Sequence, residues 1–188
     1  MRILIIDNDD SFTGNLKHLI AQRLQTDPVV VPYTRLSVVE PSQYDLIVIS
    51  AGPGKPSEYT GYRHMLDSDI PILGICLGMQ IINEYFGGET ARLDGCIHGR
   101  TERIEFEGRS LDVARYHSLC VKRVGANLEV IAVNSGGVPM ALQHRSKRIL
   151  GYQFHPESFL TTDGGYFIDY AIDFIHKARP QAVSSDLL

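Results

Sequence analysis

The residue best placed to act as a nucleophile is Cys76, in Gly74-Ile75-Cys76-Leu77-Gly78. A glycine two residues to either side lets the chain turn sharply from strand to helix with the reactive side chain at the tip, the layout of a nucleophile elbow. The start of the following helix favours a thiolate electrostatically. The backbone N–H of Leu77 then points toward the oxyanion that forms when a thiolate attacks a carbonyl. Taken alone, the pattern reads equally well as a buried cysteine between packing glycines, because cysteine is among the most buried residue types.

A nucleophilic thiol requires a base, and the base requires an orienting acceptor. Gln153-Phe154-His155-Pro156-Glu157-Ser158 offers both. With Pro156 fixing the backbone between them, His155 can turn one ring nitrogen to a thiol and the other to the Glu157 carboxylate. His18, His64, His144 and His176 have no such setting. A third element is Gly52-Pro53-Gly54, between a buried strand and a polar turn. Amides in such a loop can approach a substrate closely because no Cβ intervenes, although a plain tight turn is the commoner meaning of the triplet.

The elements that must hold these residues alternate along the first half. Arg2–Ile6, Val29–Val31, Asp45–Ser50 and Pro71–Cys76 read as strands, and Asp10–Leu24 and Leu77–Phe86 as helices, the second stopped by Gly87-Gly88. Strand, helix, strand, helix predicts an α/β fold: an open, mostly parallel sheet flanked by helices. From about Thr101 to Gln153 the pattern changes to strand-like pieces, Arg103–Phe106, Leu128–Val133, Val138–Gln143 and Ile149–Phe154, joined by glycine-rich turns. These predict a mixed or antiparallel extension. A last helix is expected over Tyr166–Lys177. Residues 1–178 are expected to form a single domain and residues 179–188 a loose C-terminal tail.

Bulk properties narrow the function. The 188 residues are 44% hydrophobic and 21% charged, with a net charge of -4, which gives no electrostatic footprint for nucleic acid or an anionic membrane. The longest apolar runs are strand-sized, so no membrane span is expected. Met1 to Asp7 enters a strand directly, without the layout of a secretory signal. Three cysteines, Cys76, Cys96 and Cys120, with no CxxC spacing argue against a disulfide framework or a structural zinc site and for a reducing cytoplasm.

Six ordered stretches together carry a resemblance: Ile6-Asp7-Asn8-Asp9-Asp10-Ser11-Phe12-Thr13, Gly52-Pro53-Gly54-Lys55-Pro56, Gly74-Ile75-Cys76-Leu77-Gly78-Met79-Gln80, His98-Gly99-Arg100-Thr101, Tyr116-His117-Ser118-Leu119 and His155-Pro156-Glu157-Ser158. From Ile5 to about Phe174 the chain resembles the class I, triad-type glutamine amidotransferases. More narrowly, it is similar to the amidotransferase component II of anthranilate synthase or aminodeoxychorismate synthase. The cysteine and His-Pro-Glu blocks mark the wider class, and the opening Asp-Asn-x-Asp-Ser-Phe block the chorismate-using pair. Ala51 stands where a proline commonly precedes Gly52, Asp9 where an aromatic is common, and Met79 where His also occurs. None of these touches the chemistry, though they blur the choice between the two synthases.

The resemblance implies a fold with flavodoxin-like layering and a role for each residue. Cys76 would be the nucleophile, His155 the general base and acid, and Glu157 the residue that orients it. Gly54 and Leu77 would supply oxyanion-hole amides. Gly52, Pro53, Gly54, Gln80, Ser118 and Leu119 would bind glutamine, and His98 and Arg100 would lie at a partner surface. The chain itself would need no metal or organic cofactor, while a chorismate-using synthase partner would bring Mg2+. The implied activity is hydrolysis of glutamine with delivery of ammonia to that partner, making anthranilate for tryptophan or aminodeoxychorismate for folate. The competing readings are an amidotransferase for a different synthase, a stand-alone γ-glutamyl hydrolase or peptidase, an α/β-hydrolase with a cysteine elbow, and a silent regulatory subunit. The α/β-hydrolase order places the acid before the histidine, whereas Glu157 follows His155.

Overall fold

The computed structural model describes residues 1–93 and 99–177; the expected tail, Cys96 and His98 lie outside the described residues. The first half runs β1 (Ile3–Asp7), α1 (Thr13–Leu24), β2 (Val29–Pro32), β3 (Leu46–Ile49), α2 (Arg63–Leu66), β4 (Ile72–Ile75) and α3 (Leu77–Tyr85). The second half runs β5 (Glu89–Arg92), β6 (Arg100–Phe106), β7 (Arg109–Arg115), β8 (Leu119–Arg123), β9 (Leu128–Val133), β10 (Pro139–His144), β11 (Ile149–Tyr152) and α4 (Gly164–His176).

A seven-stranded sheet in the order β2-β1-β3-β4-β11-β10-β9 forms the centre. Strands β2 through β11 in that order are parallel, and β10 and β9 continue antiparallel. The central strands are unbroken aliphatic runs because both faces are covered. Successive side chains alternate between faces. Ile3, Ile5, Val48 and Leu73 pack with Leu16 and Ile20 of α1 and Phe167 and Ala171 of α4. Leu4, Ile6, Ile47 and Ile49 pack with Met79 and Ile82 of α3 and Leu66 of α2 on the other face. Two ribbons, β5-β8 and β6-β7, form separate two-stranded sheets.

The parallel sheet with its antiparallel extension is therefore present, with four differences from the sequence reading, one being the short helix α2, which was not foreseen. Helix α1 starts at Thr13 rather than Asp10, because the Asp7 carboxylate accepts from Asp9 N, Asp10 N and Thr13 Oγ1 at 3.0, 3.2 and 2.8 Å and holds the intervening residues as a loop. Strand β11, expected in the extension, instead runs parallel to β4 inside the main sheet. Strands β5, β7 and β8 were not foreseen. On their outer faces Arg103 of β6 pairs with Asp112 of β7 at 2.9 Å and Lys122 of β8 with Glu89 of β5 at 3.1 Å.

Helix α3 begins pressed against the sheet. A Cβ on Gly74 would stand 2.6 Å from the Gly78 carbonyl carbon, and one on Gly78 would drive into the Ile49 carbonyl oxygen. Backbone rather than a movable side chain blocks both positions. Gly78→Ala is expected to destabilise the chain by about 3 kcal/mol, the upper end for overpacking a close-fitted site. Urea unfolding of wild type and variant checks it, and a cost below about 1 kcal/mol would show that α3 can withdraw freely.

Candidate active site

The parallel strands deliver the candidate residues from their carboxyl ends, where open α/β sheets place their ligand crevice. Strand β1 leads into the 8–12 loop, β3 into Ser50–Gly54, β4 into Cys76 and β11 into Gln153–Glu157. Cys76 has φ 52° and ψ -101°, a strained conformation for a non-glycine residue and the backbone of an elbow. It heads α3, so the first amides of that helix, beginning with Leu77, have no intrahelical acceptor.

Above Cys76 a cavity of about 430 Å³ opens to the surface. Gly52, Pro53 and Gly54 line it together with Gln80, Ser118 and Leu119 and with Cys76, Leu77 and His155. All the cavity residues expected from the sequence are thus brought together. Arg100 is not among them. It is exposed at the start of β6, paired in register with Arg115, directly before the Tyr116–Leu119 segment.

His155 is buried, with its Nδ1 2.6 Å from Glu157 Oε1. That bond commits Nδ1 as the donor and leaves Nε2 for Cys76, its hydrogen-bond partner on the other side. Phe12 and Tyr116 meet the imidazole edge-on at ring-centroid distances of 5.8 and 5.1 Å. Tyr116 is tethered in turn to Ser158 at 3.0 Å. Burial works against a charged imidazole. Contact with Cys76 and then the bond to Glu157 outweigh it, holding His155 well above the ordinary histidine range. The arrangement favours a charged imidazole beside the Cys76 sulfur. Cys120, by contrast, is a thiol that burial pushes up, with Arg115 opposing.

The glycine-rich loop is pinned by Asn8. Its Nδ2 donates to the Ser50 carbonyl at 2.9 Å, its backbone N–H donates to Ser50 Oγ at 3.1 Å, and its Oδ1 accepts from Tyr62 at 2.5 Å. A Cβ on Gly52 would lie 2.6 Å from both Asn8 Cβ and Asn8 O, so only glycine lets the two loops touch. Gly54 has φ 76°, the left-handed conformation glycine adopts freely. Tyr59 donates to the Pro53 carbonyl at 3.0 Å and braces the turn.

Two residues with no role in the sequence reading belong to the site. Gln153, fully buried, approaches the Cys76 sulfur at 3.6 Å. The signal for it was a polar residue at the end of the apolar run of β11. Asp10 brings a carboxylate oxygen within 4.8 Å of a ring nitrogen of His155 and an oxygen of Glu157. These three ligand-type groups could in principle converge on a cation. The short Nδ1–Glu157 bond, however, already uses the ring nitrogen facing the carboxylate, so the geometry is that of a hydrogen-bonded pair rather than an open coordination sphere.

The family model "Glutamine amidotransferase class-I" matches residues 4–173. This chain belongs to that family. Among curated relatives of this amidotransferase, anthranilate synthase component 2 of Leptospira biflexa is 37% identical over 191 residues, covering 87% of this chain and 95% of that protein. Anthranilate synthase component 2 of Archaeoglobus fulgidus is 37% identical over 182 residues, covering 93% and 98%. Aminodeoxychorismate synthase of Streptomyces griseus is also 37% identical, over 87% of this chain but 25% of its own length. Among solved structures, a protein described as part of a GMP synthase from Thermoplasma acidophilum aligns with a TM-score of 0.79 at 21% identity, over 93% of this chain and 94% of its own. A glutamine amidotransferase from Thermotoga maritima aligns at 0.70 and 16%, over 84% and 76%. Both show the fold.

Burial raises the Asp10 carboxyl above the ordinary carboxylate value, against the attraction of His155 and with the repulsion of Glu157. A carboxyl raised on folding stabilises the folded chain most below its unfolded pKa, and that advantage fades as pH rises through the folded value. Asp10→Asn should therefore melt close to wild type in acid and about 2 °C higher near neutral pH. Thermal melts across the acid range check this. A gap that shrank toward neutral pH would mean that Asp10 is net stabilising as an anion.

Proposed function

We propose that this amidotransferase is the glutaminase component of a chorismate-using synthase, making anthranilate, aminodeoxychorismate or both, with the roles implied by the sequence assigned to the residues of the cavity. The observation that carries the reading is the Cys76–His155–Glu157 arrangement on a strained elbow beneath a glycine-lined cavity. The near-complete coverage of relatives named as a component 2 supports the place in a larger enzyme.

In this mechanism the Cys76 thiolate attacks the glutamine Cδ, and the Leu77 and Gly54 amides stabilise the tetrahedral oxyanion, each typically worth about 3 kcal/mol of barrier. His155, charged by the thiol proton, gives that proton to the departing amine, and ammonia leaves with a γ-glutamyl thioester on Cys76. His155 then takes a proton from water, whose oxygen attacks the thioester, and glutamate and the thiol are released. Glu157 keeps the ring oriented and balances its charge through both steps. Gly52, Pro53, Gln80, Ser118 and Leu119 hold the α-amino and α-carboxylate ends.

Ammonia released into bulk water at neutral pH becomes ammonium and is lost as a nucleophile, so direct transfer to the synthase is part of the proposal. Acyl transfer by these three residues draws on no cofactor, and the Mg2+ expected in the complex belongs to the synthase. Residues 1–178 are taken as one domain, supported by the continuous sheet and the family match over 4–173. A reducing cytoplasm suits the free thiols of Cys76 and Cys120. No helix among the described residues is long and apolar enough to cross a membrane.

Two experiments test the reading. Glutamate release from glutamine should be abolished in Cys76→Ala and reduced nearly as far in His155→Ala. Glu157→Ala should retain roughly tenfold or more of the activity of Cys76→Ala, because the acid is the least costly member of comparable triads. A folded Glu157→Ala as inactive as Cys76→Ala would overturn the orienting role. The second concerns docking. Arg100 is exposed and one register pair from the Tyr116–Leu119 segment, so a synthase seated there could reach Ser118 and switch turnover on. Arg100→Ala is expected to lose stimulation of glutamine turnover by the synthase while the synthase still makes product from added ammonia. Wild-type chain turning over glutamine equally fast alone and in complex would remove the switch.

A further inference from the structure

The Gln153 amide lies against Cys76, Nε2 to Sγ 3.6 Å, and the neighbouring contacts fix which end of it faces the sulfur. The Leu119 carbonyl can only accept, so the group of Gln80 that meets it at 3.1 Å is the NH2. The same nitrogen lies 3.0 Å from Gln153, which must therefore offer its oxygen. The Gln153 NH2 is left to point at Cys76. Reversing it would set two NH2 groups together and turn a carbonyl oxygen toward the lone pairs of a thiolate.

We propose that Gln153 is a positioning residue for the nucleophile: its amide holds the Cys76 thiolate in place for attack, and Gln80 transmits that hold from the Leu119 carbonyl at the mouth of the glutamine subsite. This rests on the reading of Cys76 as the nucleophile. A donor aimed at sulfur favours the charged form over the thiol. Here it does so without adding a second titrating group. The titratable groups that share the cavity with the sulfur are His155 with Glu157 behind it, Asp9 and Asp10 on the β1–α1 loop, and Tyr116 and His117 on the segment after β7. Gln153 and Gln80 are both at most 2% exposed, so water does not compete for their amides. Gln153 directly follows β11, with its backbone N–H donating to the Met140 carbonyl of β10 at 2.9 Å, and Gln80 lies in α3, so the donor is anchored at the sheet end and on the helix.

The test needs neither glutamine nor the synthase. The purified chain is alkylated with iodoacetamide from acid to alkaline pH, and the adduct on Cys76 is followed by peptide mass spectrometry. Gln153→Met keeps the length and loses the donor. The pH of half-maximal labelling should move up by about one unit, making labelling roughly tenfold slower at neutral pH, while rates converge with wild type at the alkaline plateau. Gln153→Glu should move it further, because a carboxylate oxygen then faces the sulfur. Gln80→Met should move it in the same direction by less, because the Gln153 amide loses its anchor. A folded Gln153→Met whose labelling curve superposes on wild type overturns the proposal. Where that variant fails to melt cooperatively, an unshifted Gln80→Met decides the same way. A role in packing alone would change melting and leave the pH curve in place. Absence of glutamate release by the wild-type complex would count against the glutaminase reading without altering any labelling curve, so the two failures are distinct.

Discussion

The amino end of α3 sits so close to the ends of β3 and β4 that no side chain fits between them. Gly78 is stopped by the Ile49 carbonyl and Gly74 by the Gly78 backbone. The chain passes from β4 to helix through one residue, and that residue takes φ 52°. Its side chain is thereby held above the sheet edge, and the unpaired amides of the helix start behind it. The strain, of order 1–3 kcal/mol for such a backbone, is supported by the aliphatic strands on either side. A looser junction would relax Cys76 toward the interior, leaving His155, Gly54 and Gln153 arranged around an empty place.

Around that fixed point the second constraint is electrical. His155 is buried against Phe12 and Tyr116, surroundings that disfavour a charged ring, and it is nonetheless held above the ordinary histidine range. Low exposure strengthens each contact that favours the charge, from Cys76 and from Glu157, more than it penalises the charge itself. Asp10 bears the opposite cost, a carboxyl kept where burial disfavours its anion. Residues that serve the site and residues that serve stability are here in conflict, and the 8–12 loop, held by Asp7 and Asn8, keeps the conflict in place.

What the sequence made legible was local. Cys76 lies within two residues of its glycines, and His155 within two of Glu157, so each pair could be read from spacing, and the two together with the other ordered stretches pointed to the chemistry. The parallel half of the sheet was legible for the same reason, since its strands are continuous apolar runs. What could not be read arises from distant segments meeting. Asp10 stood in the opening acidic block, but nothing in that block says that its carboxylate approaches His155. Gln153 stood two residues before His155, and only the fold brings it to Cys76. Strands β5, β7 and β8 carry charged and small residues because one face is open to water and each ribbon has only two strands, so no apolar run marks them. The position of β11 beside β4 follows from parallel pairing across more than seventy intervening residues, which no periodicity encodes.

The two carboxylates beside His155 also bear on what happens after the bond is broken. In the proposed reaction a neutral amide enters and a carboxylate leaves, and the new negative charge would form on the Cys76 side of the His155 ring, near which the Asp10 and Glu157 carboxylates converge. Like charges so placed repel through a partly dry interior. On that reading the carboxylates near His155 would tell substrate from product at the one position where the two differ. Glutamate, which shares every other group with glutamine, would then be held less firmly than glutamine once the amide is gone.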